Sequence, residues 1–153
     1  MGRMARRVRQ AGVYFVTSNT LERRCVFTNH ECGRILLEQL IGCREKGFYK
    51  LHAFVVMPNH FHALLTPSAE TTIEKAMMMI KGGSAYRLKE GNLYHWPVWQ
   101  AGFHDHWVRD ENDYRTKLAY IGSNPVDAHL AESASRYPLS SILWKIRCGP
   151  KRL

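Results

Sequence analysis

The feature that most narrows the fold is a pair of apolar, β-type runs separated by only two residues. Tyr49–Met57 (YKLHAFVVM) and His60–Thr66 (HFHALLT) flank Pro58-Asn59. β-Branched and aromatic residues favour extended chain and Pro-Asn is turn chemistry, so the two runs read as an antiparallel hairpin. The elements around it alternate. Val13–Ser18 (VYFVTS) suits a strand. From His30 to Lys46, the residues Cys32, Ile35, Leu36, Leu40 and Cys43 share one helical face, and Gly47 supplies a stop. A second helix runs from about Thr71, with Ile73, Ala76, Met77 and Ile80 on one side. Gly82-Gly83 is expected to weaken or bend it before Ser84–Lys89. The aromatic-rich stretch Trp96–Trp107 should hold a fourth strand. The order is then β-α-β-β-α-β, an α+β, ferredoxin-like antiparallel sheet with helices on one face. One more helix is appended from Asp110 to about Ser123. Asp110 can cap it, and Asn124-Pro125 is expected to end it.

With 153 residues, no repeat and no linker, the chain is expected to form one domain. That domain would have a basic arm over 1–9, a core over 13–124 and an irregular tail over 125–153. The four cysteines, Cys25, Cys32, Cys43 and Cys148, show no C-x-x-C spacing and read as small buried hydrophobes. No apolar run has the length of a membrane span, and no apolar signal core follows the basic start. The expected location is the cytoplasm.

The net charge of +9 is concentrated at the ends. Residues 1–9 carry Arg3, Arg6, Arg7 and Arg9, and residues 145–153 carry Lys145, Arg147, Lys151 and Arg152, with no acid in either stretch. Setting those eight aside leaves 14 basic residues against 13 acidic, an almost neutral body. Basic ends on a neutral body suit a polyanion, because each phosphate contact releases counterions. Solvated termini are the plainer reading of the same residues.

Chemistry enters with His60-Phe61-His62. Residues i and i+2 of a strand point to one face, so the two imidazoles project together and can share a divalent cation, or they are two ordinary surface histidines. On the appended helix, Tyr114, Leu118 and Ile121 form the apolar stripe, while Tyr120 lies about 200° around from Leu118. Tyr120 shares its face with Asp113, Lys117 and Asn124. A phenol there is either packed on a neighbouring loop or tail, or is a nucleophile waiting for activation. Asn124, one turn further on, offers an amide oxygen as a hard ligand or is simply the residue before Pro125.

These segments together resemble a family. Val56-Met57-Pro58-Asn59-His60-Phe61-His62-Ala63-Leu64-Leu65 is similar to the histidine–hydrophobic–histidine strand of the IS200/IS605-like Y1 transposases. Trp99-Gln100-Ala101-Gly102-Phe103-His104-Asp105-His106, with Arg109 and Tyr120-Ile121-Gly122-Ser123-Asn124-Pro125-Val126, resembles their REP-associated branch. So does Tyr137-Pro138-Leu139-Ser140-Ser141. The likeness runs from about Val13 to Ser141. It implies a metal-dependent single-strand DNA endonuclease and strand transferase acting on DNA hairpins through a 5′-phosphotyrosine. His60 and His62 would hold Mg²⁺ or Mn²⁺, Tyr120 would attack, and Asn124 would stand where the family carries a glutamine ligand. His104, Asp105 and His106 fall in a stretch that is mainly structural in the family. Lys81, Arg87 and Lys89 could bind backbone phosphate, as could Arg3, Arg6 and Arg7, and Trp96 or Trp99 could stack bases. The resemblance leaves both a homodimer and a monomer open. Two other readings stand beside it. One is a non-catalytic single-strand nucleic-acid binder of the RNA-recognition type, which shares the element order but needs strand aromatics where HFHALL has histidines. The other is a zinc-binding regulatory protein derived from a transposase.

Overall fold

The computed structural model describes residues 11–142. The basic arm with Arg3, Arg6 and Arg7, and Cys148, therefore lie outside the described residues. Four strands, β1 (Tyr14–Asn19), β2 (Tyr49–Met57), β3 (His60–Pro67) and β4 (His104–Trp107), form a sheet in the order β2-β3-β1-β4. All three pairings are antiparallel, the arrangement that the β-α-β-β-α-β order anticipates. Helices α1 (His30–Glu45) and α2 (Ile73–Glu90) fill the two crossovers, and α3 (Glu111–Asp127) follows β4.

Each helix begins where a side chain satisfies its orphan amides. Asn29 accepts from Glu31 N and Cys32 N, Thr72 from Lys75 N, and Asp110 from Asp113 N. Gly47, at φ 85, lets the chain reverse after α1, with its amide donating to the Arg44 carbonyl.

The sheet has two unlike faces. One carries Tyr14, Val16, Phe61, Ala63 and Leu65, all buried. Against it lie α1 and α2, whose Leu36, Leu40, Met77 and Ile80 are fully buried, and the Tyr49 hydroxyl donates to the Leu40 carbonyl across this interface. The opposite face carries Phe15, Thr17 and Asn19 of β1 beside Leu64, His62 and His60 of β3. Helix α3 packs there. Tyr114 donates towards His52 Nδ1 at 3.2 Å, Ile121 is buried, and Asp113 accepts from His106 Nε2 at 2.7 Å. A bulge between Leu51 and Ala53 leaves His52 out of the β2–β3 register, where its Nε2 meets Thr66 Oγ1.

Three expectations change. Pro125 does not end α3, which continues to Asp127. A proline in the last turn removes one amide bond only, and the chain beyond it still closes through Ala128 N to Asn124 O and Leu130 N to Pro125 O. Gly82 and Gly83 do not break α2, which runs through both. The segment after Asp127 is not wholly irregular either. The Tyr137 hydroxyl donates to Val56 O, Val56 N donates to Leu139 O, and Ser140 bridges Val55, so this segment seals the β2 edge of the sheet. Cys32 and Cys43 are buried as expected, whereas Cys25 is exposed.

The two glycines of α2 have different surroundings, which yields a test. A Cβ on Gly82 would meet nothing within 4 Å, whereas one on Gly83 would collide with Gln39 Nε2, the amide that bonds the Met79 carbonyl. Gly82→Ala is expected to raise unfolding free energy by about 0.5–1 kcal/mol. Gly83→Ala gains the same propensity but displaces the Gln39 amide, which costs about 1 kcal/mol or more. Urea denaturation of both variants reads the difference, and equal stabilisation would mean α1 and α2 are not in close contact there.

Candidate functional site

β3 begins at His60, directly after the Pro58-Asn59 turn, so its first two face-sharing positions lie at the rim of the sheet. The rings of His60 and His62 have centroids 4.8 Å apart. Helix α3 crosses this rim and brings Tyr120 over the pair, its ring edge-on to His62 at 5.2 Å and to Phe15 at 6.0 Å. Phe15 stacks nearly parallel to His62, and Lys117 Nζ stands 5.5 Å from the centre of the Phe15 ring. One turn beyond Tyr120, Asn124 lines the same open cleft of roughly 470 Å³, and Asp127 lies one turn further. Thr17, Asn19, Arg23 and Met57 complete most of its wall.

The two imidazoles are oriented through Nδ1. His60 Nδ1 donates to Asn59 Oδ1, and His62 Nδ1 pairs with Thr17 Oγ1, both at 2.7 Å. Each ring therefore turns Nε2 away from its anchor. His62 Nε2 is buried and has no hydrogen-bond partner among the described residues, a state that ordinarily costs about 1–3 kcal/mol. Burial, with the Arg23 charge adding to it, pushes the His60 imidazole down to about pKa 4. Burial, then His60, then Arg23 push His62 down to about 3. Both rings are neutral near pH 7, with the lone pair that a metal ligand needs.

This donor set fits a divalent cation that keeps open positions. Two neutral imidazoles anchored at Nδ1, one of them with an orphaned Nε2, form the ordinary first half of such a site. Among the described residues, no three His, Cys, Asp or Glu side chains converge on one point. Asn124 lines the cleft with an amide oxygen, as do the Asn19 amide and the Asp127 carboxylate, and the open cleft leaves space for oxygens of substrate or water.

The phenols of α3 separate as helical phase predicts. Tyr114 is half-buried and its hydroxyl is engaged by His52, while Tyr120 is 46% exposed and its hydroxyl has no hydrogen bond among the described residues. His104, Asp105 and His106 lie on β4, where His106 is spent holding the Asp113 carboxylate that also accepts from Arg109 N. The proposed phosphate binders of α2 sit apart from the cleft. Lys81 donates to the carbonyls of Gln100 and Gly102, Arg87 pairs with Glu38 at 2.7 Å, and Lys89 is exposed. Trp99 packs between Phe27 and Phe61 and donates to Ser84, whereas Trp96 is 67% exposed.

Sequence reasoning missed several residues of the site, Asn19 on the cleft wall among them. Thr17 was detectable as the cross-strand partner of His62, but only once the β1–β3 register was known. Asn59 was treated as turn chemistry alone. Asp127 follows Tyr120 by two helical turns, and ending the helix at Pro125 hid it. Arg23 comes from a turn without periodicity, so no pattern pointed to it.

Comparison with known proteins agrees with this geometry. The family model for transposase IS200-like proteins matches residues 11–124. A curated REP-associated tyrosine transposase of Escherichia coli (strain K12) is 26% identical over 134 residues, covering 87% of this chain and 78% of the relative. The solved structure of a REP-associated tyrosine transposase bound to a REP hairpin superimposes with a TM-score of 0.77 at 25% identity, covering 92% of this chain and 84% of that one. A structure from Deinococcus radiodurans, at 20% identity and a TM-score of 0.56, covers 72% of this chain and shares the fold. With a matched segment that spans β1, the histidine strand and α3 as far as Asn124, the chain belongs to the IS200-like transposase family of DNA nicking and joining enzymes.

Proposed function

We propose that this protein cuts and rejoins single-stranded DNA beside a hairpin, with Tyr120 as nucleophile and His60, His62 and Asn124 as the protein ligands of a divalent cation. The observation that carries the proposal is the exposed Tyr120 phenol edge-on to His62, whose buried Nε2 lacks a partner among the described residues. The hairpin-bound relative supports hairpin DNA as the substrate class.

The chemistry follows from the side chains. The cleft is open enough for an unpaired strand to lay a phosphate between the imidazoles and the phenol. Mg²⁺ or Mn²⁺, held there, would polarise the phosphate and offset the charge that develops on it. Thr17 and Asn59 keep the two rings from rotating, so the lone pairs need no reorganisation during the reaction. Phe15 and the helix backbone set the direction of approach of the Tyr120 oxygen, which attacks phosphorus in line with the departing 3′ oxygen. A 5′-phosphotyrosine and a 3′-hydroxyl result. Because the ester bond is exchanged rather than hydrolysed, a 3′-hydroxyl from the same or another strand reverses the step without a nucleotide cofactor. Asn124 reaches less far than the family's glutamine by one methylene, so more of the coordination shell falls to substrate oxygens. The RNA-recognition alternative loses its support, because the sheet face such proteins use for bases is crossed here by α3.

Two measurements test this reading. Incubated with a labelled hairpin bearing single-stranded flanks, Tyr120→Phe is expected to fold and bind but to give no protein–DNA species that survives denaturing electrophoresis. Tyr114→Phe is expected to keep the adduct and lose about 1 kcal/mol of stability with its hydrogen bond to His52. The reverse pattern would place the nucleophile at Tyr114.

The second concerns the anchor of His62. Thr17→Val keeps the strand shape but removes the oxygen that orients the ring. Mn²⁺ affinity measured by calorimetry is expected to fall by about 10–100-fold. Unchanged affinity would mean that Nε2 of His62 does not bind the ion.

A further inference from the structure

The turn between β1 and α1 has an expensive backbone. Glu22 and Arg23 both sit at φ 56, the left-handed region that non-glycine residues occupy at a cost. Two such residues in succession persist only where the surroundings hold them. Those surroundings are specific. The Thr20 hydroxyl lies 2.7 Å from the Arg24 carbonyl and 3.0 Å from that of Asn59, and Leu21 N donates to Val98 O at 2.9 Å. Thr20 also bridges to Trp99. The turn is thus tied on one side to the Pro58-Asn59 turn that launches the histidine strand, and on the other to the segment around Trp96.

The consequence is that two adjacent arginines are aimed apart. Arg23 joins the wall of the cleft that holds His60 and Tyr120, steadied by Asn19 Oδ1 at 2.9 Å, and it makes no ion pair among the described residues. Arg24 places its guanidinium 5.9 Å from the centre of the Trp96 ring and pairs with Glu22. Trp96 itself contributes little to packing, since it is 67% exposed while Trp99 three residues later packs against the core. A cation in the cleft with no ion pair among the described residues, and an exposed indole faced by the next arginine along the chain, are the two parts a single strand requires, one for phosphate and one for a base face.

We propose that the 21–24 turn is a nucleotide clamp at the mouth of the cleft. Arg23 binds a phosphate of the single strand beside the scissile bond, and Trp96, backed by Arg24, stacks an adjacent unpaired base. The clamp rests on the reading of the cleft as a DNA-cleavage site. Its ligand must be single-stranded, because a base already stacked in a duplex has no free face to offer.

The test is equilibrium binding in chelator, in the Tyr120→Phe background, so that no covalent chemistry enters. Two probes are used: one hairpin with a short single-stranded flank and the same hairpin cut blunt. The flanked probe is expected to bind more tightly. Trp96→Ala should weaken it by about fivefold or more, with an unchanged salt slope, while Trp96→Phe keeps most of the affinity. Arg23→Gln should instead flatten the slope of log affinity against log salt by about 0.7. Blunt-hairpin binding and melting temperature should stay constant in all three. Unaltered binding of the flanked probe by Trp96→Ala, or an equal loss on the blunt probe, overturns the clamp. If the clamp fails while Tyr120 still forms its adduct, the cleavage reading stands. If flank preference holds but no adduct forms in the parent protein, the cleavage reading falls alone.

Discussion

The 2.7 Å hydrogen bond between Thr17 Oγ1 and His62 Nδ1 joins the two central strands of the sheet, and the site depends on the register it marks. Because strand side chains alternate, pairing Thr17 with His62 puts both histidines on the face away from α1 and α2. A slip of one residue would turn them into the core and expose Phe61. The same register sets Phe15 beside His62 as a stacking partner and Asn19 beside His60. Orientation, burial and the orphaned Nε2 of His62 all follow from one strand pairing.

Helix α3 converts this face from a surface into a site. Its dock is set at two points, the Asp113 carboxylate on His106 and Arg109 near its start, and Tyr114 on His52 further along. The Arg109 amide and the His106 side chain hold the Asp113 carboxyl below the ordinary range, so it remains an acceptor through the physiological range. The helix then reaches the rim with Tyr120 pointing at the histidines of its own chain. The bulge that frees His52 from the β2–β3 ladder is part of this dock. The metal site proposed at His60, His62 and Asn124 would keep positions open for substrate oxygens, as a transesterification centre requires.

Much of this was legible in the sequence. The hairpin, the element order and the same-face histidines follow from periods of two and 3.6, and the phase of α3 separated Tyr120 from Tyr114 before any coordinates. What was hidden shares a cause: tertiary context. Pro125 reads as a helix end, yet one lost amide bond in a final turn is outweighed by the packing of Ile121 and the closure through Asn124, and Asp127 enters the cleft as a result. Lys81 meets the Gln100 carbonyl and Arg87 pairs with Glu38, contacts that a sequence does not reveal. Arg23 was invisible for the opposite reason. Its position comes from two left-handed residues held by Thr20 and Leu21, a feature with no sequence period.

The central claim is that one chain supplies both the nucleophile and the histidines that serve it. Mixing two inactive variants, Tyr120→Phe and His62→Ala, tests it directly. Each retains the half that the other lacks, so a centre shared between chains would regain hairpin nicking on mixing. The account predicts that the mixture stays as inactive as either variant alone. Recovery of nicking towards the level that one intact site per pair would give would show that Tyr120 works on a partner's histidines, and would contradict the geometry described here.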